Sequence, residues 1–274
     1  MSFFICKTCG LEFAESAAPP ARCPICEDER QFIGWQGQQW TTMADLRAAG
    51  YRNEIREEEP NLLSISVVPA FGIAQRAFLV RTAAGNVLYD CVPYLDDGTV
   101  AAIKGMGGIS ALTFSHPHFY ASMVTWSQAF GDAPIYIPEV DREWVMRPDH
   151  AVRPWGGDPL ELVPGVTLIR CGGHFPGSAV LHWAAGAEGA GVLLTGDTIR
   201  VVMDRRYVSF MWSYPNVVPL PARQVSAIVD RLEPYEFDRL YGGWWGHVVP
   251  RNAKAAVTAS AARYAHFVEE GPLD

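Results

Sequence analysis

The sequence predicts an α/β sandwich with helices covering both sheets, preceded by a small metal ribbon of four cysteines. Three observations carry this expectation. From Leu62 onward, short β-branched runs alternate with amphipathic helical stretches. Four of the six cysteines form two C-x-x-C pairs near the start of the chain. Five ligand-type residues, His116, His118, His174, Asp197 and His247, sit beside Gly or Pro after apolar runs. Loops at strand ends on a rigid scaffold are where chemistry is usually carried.

The totals bound the reading. With 274 residues, 49% of them hydrophobic, the chain has room for one large core domain plus a small module. The formal net charge is -8 and no Lys/Arg run forms a stripe, which argues against nucleic acid or an anionic membrane as partner. No apolar stretch approaches the roughly 20 residues a membrane span needs. The start, "MSFFICKTCG", lacks a basic leader region, so no signal peptide is expected. The expected location is the cytoplasm, where thiols stay reduced and clustered cysteines are metal ligands rather than disulfides.

Residues 1–38 form the first unit. Cys6 and Cys9 lie in "CKTCG", and Cys23 and Cys26 in "CPICE". Each pair chelates from a tight knuckle, and two knuckles complete a tetrahedral S4 site. The intervening loop is too short and polar to own a core, so metal supplies much of the folding energy. The segment resembles zinc-ribbon or rubredoxin-like modules. Zinc there is structural; iron would make it a one-electron carrier. The spacing between pairs is shorter than in typical rubredoxins, which favours zinc.

Residues 39–60 read as a linker. "TMADLRAAG" is a short helix with Thr42 as N-cap and Gly50 as stop, Glu57, Glu58 and Glu59 form a solvated face, and Pro60 closes the segment. Residues 61–274 are the main domain. "LLSISVV", "AFLVRT", "NVLYDCV", "ISALTFS", "APIYIP", "VTLIRC", "AVLHWA" and "GVLLTG" read as strands. "TVAAIKGM", "ASMVTWSQAF", "ARQVSAIVDRLE" and "NAKAAVTASAARYAHFVEE" read as helices. Cys91 and Cys171 are expected as buried small hydrophobes. His150, His182 and His266 fit no ligand setting. There is no G-x-G-x-x-G pattern or P-loop to suggest a nucleotide fold.

His116 and His118 are one residue apart. In an extended segment both imidazoles point the same way and reach one ion. His174 lies in "GGHFPGS", whose glycines permit a sharp turn near that ion. Asp197 follows "VLLTG", and His247 sits in "GGWWGHVV". Together with "LYDC", these stretches resemble the metallo-β-lactamase superfamily from about Leu62 to the C-terminus. The resemblance implies an αββα sandwich with metals at one edge of the two sheets. It implies a first metal site of His116, His118 and His174, a bridging Asp197, and His247 at a second site. Asp90 is expected to brace the metal loop.

The sequence departs from that family at one place. The family loop reads H-x-H-x-D-H, whereas this chain has Tyr120 and Ala121 at the last two positions. A phenol of pKa near 10 is a poor zinc ligand at neutral pH. One catalytic ion is therefore expected, held by three histidines with Asp197 beside it and one position left open.

The reaction expected is hydrolysis of a small ester, thioester or related substrate by a metal-activated water. Asp197 would orient the water or take its proton, and Tyr120 would protonate the leaving group. Trp212, Tyr214, Trp244 and Trp245 would form an apolar wall, with Arg205 or Arg206 meeting an anionic group. Two alternatives stay open: a mononuclear non-haem iron oxidoreductase resembling persulfide dioxygenases, and a non-catalytic metal-binding member of the fold.

Overall fold

A computed structural model describes residues 1–156 and 159–271. In the N-terminal module, strand β1 (Ile5–Cys6) pairs antiparallel with β2 (Trp40–Thr41), and a one-turn helix α1 (Pro24–Glu27) follows Cys23. Helix α2 (Met43–Ala48) starts where predicted. The Thr42 hydroxyl accepts from the Asp45 N–H while the Asp45 carboxylate accepts from the Thr42 N–H, a reciprocal cap. Gly50, at φ +80°, ends it in the left-handed conformation.

The rest of the expected linker is a strand. Residues Arg52–Glu59 form β3, which pairs antiparallel with β4 (Leu62–Val68), so the first sheet begins at Arg52 rather than at residue 61. Of the acidic run, Glu57 is exposed as expected, but Glu58 and Glu59 are not a solvated face. Glu58 accepts from the Ser64 hydroxyl and pairs with Arg76, and Glu59 pairs with Arg239. An edge strand needs few apolar residues, which is why its composition read as linker.

The first sheet continues through β5 (Ala77–Val80), β6 (Val87–Tyr89), β7 (Ala111–Thr113), β8 (Ile135–Pro138) and β9 (Val152–Trp155), in that spatial order. Helices α3 (Asp97–Gly105) and α4 (Met123–Ala129) make the crossovers that the parallel pairs β6–β7 and β7–β8 require. The second sheet holds β10 (Leu160–Val163), β11 (Val166–Arg170), β12 (Ala179–Trp183) and β13 (Val192–Leu194). A separate hairpin follows, β14 (Arg200–Val201) with β15 (Val208–Ser209). Helix α5 (Ala222–Leu232) then leads to β16 (Arg239–Tyr241), parallel to β13 and paired with β17 (Val248–Val249); α6 (Ala253–Glu269) closes the described chain.

Alternation along the strands builds three cores. Leu62, Phe78, Val80, Val87 and Tyr89 meet Val166, Leu168, Leu181, Val192 and Leu194 between the sheets. The intervening residues Leu63, Ile65, Leu79 and Leu88 face outward with Ile103 of α3 and Trp126 of α4. On the other side, Ile169, Val180 and Leu193 pack against Val225 and Ile228 of α5 and Val257 of α6. The layers are therefore helix, sheet, sheet, helix, as the sequence predicts. Cys91 and Cys171 are both buried. Among the described residues, no helix is long and apolar enough to cross a membrane.

The module has no separate core. Ile5, Leu11, Ile25 and its four cysteines belong to the same buried cluster as Leu63, Leu79 and Leu112. Its polar anchor is Glu12, which meets Arg147 at 2.5 Å and accepts from Thr125. Both charged side chains are less than a tenth exposed. Glu12→Ala is expected to cost about 3–5 kcal/mol, because it leaves the buried Arg147 charge without its carboxylate, with only the neutral Thr125 and Gln128 as hydrogen-bond partners. Denaturant unfolding of the variant checks this.

Candidate metal centre

His116, His118, His174 and Asp197 sit where a strand gives way to a tight turn, whereas His247 comes after a turn and immediately precedes β17. His116 follows β7 with an extended backbone, at φ -174° and ψ 170°. The chain then enters a single 3-10 turn over Pro117–Phe119. His118 is thus brought beside His116 by a turn, not by the extended alternation expected from the sequence. His174 lies beyond β11, after Gly172 and Gly173 at φ +72° and +92°. Asp197 follows Gly196 at φ +54°, and a side chain at Gly196 would collide with Ser115. Glycine there lets the aspartate loop close onto the histidine loop.

The three imidazoles converge. His118 Nδ1 and His174 Nε2 face each other at 3.3 Å, and one ring nitrogen from each of His116, His118 and His174 lies within 4.8 Å of the others. Nitrogens at roughly 2.0–2.1 Å from a tetrahedral zinc are roughly 3.3 Å apart, so the spacing fits such an ion. Buried His116 Nε2 has no hydrogen-bond partner and lies 3.7 Å from Asp197 Oδ2. Burial, then the neighbouring imidazoles, holds His116 and His118 well below the usual histidine range. Neutral imidazole is the form that binds a cation. The cysteines also fit: Cys6–Cys26 and Cys9–Cys23 sulfurs are 3.6 and 3.7 Å apart, and sulfurs at about 2.3 Å from a tetrahedral ion are about 3.75 Å apart.

Supporting groups orient the ligands. His116 Nδ1 is 2.9 Å from the Ser115 hydroxyl, which leaves Nε2 for the ion. The Ser115 N–H donates to Asp90 Oδ1 at 2.7 Å, so Asp90 braces this loop from a fully buried position. Ser115→Ala is expected to weaken metal affinity about 10–100-fold, as losses of outer-shell partners do. Titration with a competing chelator measures it.

A cavity of about 490 Å³ opens beside the histidines. His118, His174, Asp197, His247, Tyr214 and Trp244 line it; of the four aromatic residues expected as its wall, these include Tyr214 and Trp244. His247 lies outside the three-histidine cluster. Burial, then Arg200 and Arg205, pushes its pKa down to about 4.

Other expectations are corrected. Tyr120 is fully buried, packs edge-on against Phe114 and is absent from this cavity's lining, so it is not placed to protonate a leaving group. It and Ala121 seat the cysteine module instead: the Glu12 N–H donates to the Ala121 carbonyl, and Leu11 lines a small cleft with Tyr120. Trp212 stacks on Arg30 outside the lining, and Trp245 donates to Ser64 beneath Arg56. Arg206 is exposed and paired with Asp204, and Arg205 bonds the Val202 carbonyl. His182 donates to the Glu236 carbonyl, and His150 and His266 sit beside carboxylates away from the centre.

The cavity also contains residues the sequence did not suggest. Thr8, Arg30, Gln31 and Phe32 of the module form one wall. Arg30 is held by both Asp28 oxygens, reaches the His174 carbonyl at 3.3 Å and lies 3.8 Å from the Phe175 ring centroid. Ser213 and Asn216 bond the backbone of Glu29, Arg30 and Gln31, tying the module to the aromatic loop. Arg200 was the more visible signal, lying three residues after Asp197.

The sequence profile of the metallo-β-lactamase superfamily matches residues 71–244, taking in His116, His118, His174 and Asp197. The uncharacterized protein YmaE of Bacillus subtilis (strain 168) is 49% identical over 265 residues, covering 96% of each chain. Among solved structures, DIM-1 metallo-β-lactamase is similar with a TM-score of 0.57 and 15% identity, over 81% of this chain and 99% of that one. A metallo-β-lactamase from Hirschia baltica is similar with a TM-score of 0.55 and 14% identity, over 77% and 97%. At these identities the structural likeness speaks for the fold alone. With the sequence match spanning more than half of the chain, and with three converging imidazoles at the sheet edge, the chain belongs to the metallo-β-lactamase superfamily.

Proposed function

We propose that the protein is a metal-dependent hydrolase with one catalytic ion, held by His116, His118 and His174, that acts on a small ester, thioester or related bond. The observation that carries this reading is the convergence of three neutral imidazoles on one corner of a 490 Å³ cavity, with Tyr120 and Ala121 turned away to seat the module. When bound there, the ion supplies Lewis acidity toward a substrate oxygen and brings the pKa of water to about 7. Asp197, fixed through Oδ1 by Arg200 at 3.2 Å, keeps Oδ2 toward the histidines to orient water or accept its proton. Trp244 and Phe32 line the cavity and limit bulk water. Hydrolysis adds water across the acyl–oxygen or acyl–sulfur bond and yields an acid with an alcohol or thiol, so no further co-reactant is needed.

Zinc is proposed at both sites, with the S4 site structural. Elemental analysis together with visible absorbance separates zinc from iron. The substrate partner is a small molecule, and the cytoplasm is the proposed location. A screen of thioesters, lactones and phosphodiesters tests the function, with His116→Ala in parallel. Turnover that survives in His116→Ala would overturn the mechanism.

A further inference from the structure

We propose that Arg30, carried by the cysteine module, is a positioning residue for His174, so that the module sets how tightly the histidine site holds its ion. The proposal rests on the three-histidine metal site and not on the reaction performed there.

His174 is the ligand with the least support of its own. His116 is braced at Nδ1 by Ser115, whose N–H is held in turn by Asp90. His118 is set by the Pro117–Phe119 turn. His174 turns Nε2 toward His118, so Nδ1 is its outer nitrogen, and that buried atom makes no hydrogen bond of ordinary geometry among the described residues. The backbone before it runs through Gly172 and Gly173 at φ +72° and +92°, and glycines resist little when a turn shifts. A ligating histidine is usually aimed by a hydrogen bond at its second nitrogen. Here the aim comes from another group.

Arg30 is that group. Its Nη1 donates to the His174 carbonyl at 3.3 Å. Its guanidinium carbon lies 3.8 Å from the ring centroid of Phe175, the next residue, and 4.6 Å from that of Trp212. The Phe175 ring packs against all three imidazoles, at centroid distances from 4.9 to 5.8 Å. The backbone of Met211 and Trp212 lies beside the His174 ring. One side chain therefore touches the carbonyl of the ligand, the ring that follows it and the aromatic loop that borders it.

Arg30 is itself held firmly. Both Asp28 oxygens accept from it, at 2.6 and 2.8 Å, and its side chain is 9% exposed. The Ser213 hydroxyl donates to its carbonyl at 3.2 Å. A planar fork that pairs with two oxygens while stacked on rings is a geometry lysine does not reproduce. Asp28 in turn belongs to the second cysteine knuckle: its N–H donates to the Pro24 carbonyl and ends α1, two residues after Cys26. The knuckle, Asp28, Arg30 and His174 thus form one unbroken series of contacts.

Arg30 acts on the ion in two opposed ways. Its charge repels a cation, while its contacts keep a ligand in place. The paired Asp28 carboxylate offsets most of that charge at a distance, so positioning is expected to dominate.

The test uses the full chain with zinc in the S4 site and cobalt at the histidines. Competition with a chelator reads cobalt affinity, and the visible cobalt bands report the geometry of its ligands. Arg30→Gln is expected to lower that affinity about 10–100-fold and to alter the bands, with zinc retained in the S4 site. Arg30→Lys should fall between, because an ammonium reaches the carbonyl without gripping both Asp28 oxygens. Asp28→Asn leaves Arg30 its stacking; it should show a smaller loss, and it serves if Arg30→Gln does not fold. Unchanged affinity and bands, with only Tm lowered, overturn the proposal, because Arg30 would then be a structural residue alone. Tighter cobalt binding in Arg30→Gln also overturns it, because repulsion would then outweigh positioning. A wild type that takes up no more cobalt than His118→Ala overturns the metal site and the proposal together.

Discussion

The protein is expected to bind close to two metal ions per chain, and His118→Ala close to one. Burial holds these imidazoles in the neutral form, and their nitrogens, 3.3 Å apart, present lone pairs that a cation can bridge. Removing one leaves two nitrogens and one carboxylate, and Asp197 is already engaged by Arg200. Hydrolysis should fall by more than the roughly 100-fold that marks the loss of an outer-shell partner. The S4 site should keep its ion, because its ligands come from Cys6, Cys9, Cys23 and Cys26 alone. Three ions in the wild type would mean that Asp197 and His247 recruit a second catalytic ion without the ligands absent at positions 120 and 121. Elemental analysis of both proteins decides this.

The second large effect is on stability. Cys9→Ser is expected to lose the S4 ion and to lower Tm by roughly 10 °C or more, since each kcal/mol moves Tm by roughly 2–4 °C at 150–250 residues. Structural zinc contributes about 10–16 kcal/mol in isolated finger peptides, comparable to the whole stability of a domain at about 5–15 kcal/mol. Here the consequence reaches beyond the module. Its cysteines and Ile25 pack in one cluster with Leu63 and Leu79, so loosening the knuckles exposes the outer face of the first sheet. The wall of Thr8, Arg30, Gln31 and Phe32 would loosen with it. Scanning calorimetry reads the first effect. Turnover of the best substrate from the ester and thioester screen, at a temperature where the variant is folded, reads the second. An unchanged Tm after loss of the ion would show that the shared core carries the module without metal.

Much of this molecule was legible because its signals are local. The reciprocal cap at Thr42 is a three-residue relation, and the strand runs from "LLSISVV" to "GVLLTG" show their character within a few residues. His116, His118, His174 and Asp197 were legible for the same reason, since each ligand carries its own turn. Illegible features depended on what lies opposite. Strand β3 is acidic because Arg76 and Arg239 wait across from Glu58 and Glu59. Strand β9 contains Pro154 yet is a strand, because it is the outermost of its sheet. The turn at Pro117–Phe119 placed His118 correctly for a reason other than the expected alternation.

By itself, the sequence indicated the layer order, the two clusters of ligand-type residues, and Tyr120 and Ala121 where the family loop has Asp and His, because each depends on residue type at short spacing. Only the tertiary structure decided that Tyr120 is core rather than catalyst, and that Arg200 and Arg30, rather than Arg205 or Arg206, reach the cavity. It alone also joined the cysteine module to the histidine site, where Arg30 meets the His174 carbonyl across 144 residues of sequence. Contacts of that span are chosen by how whole layers pack, and packing leaves no mark in any short stretch of chain.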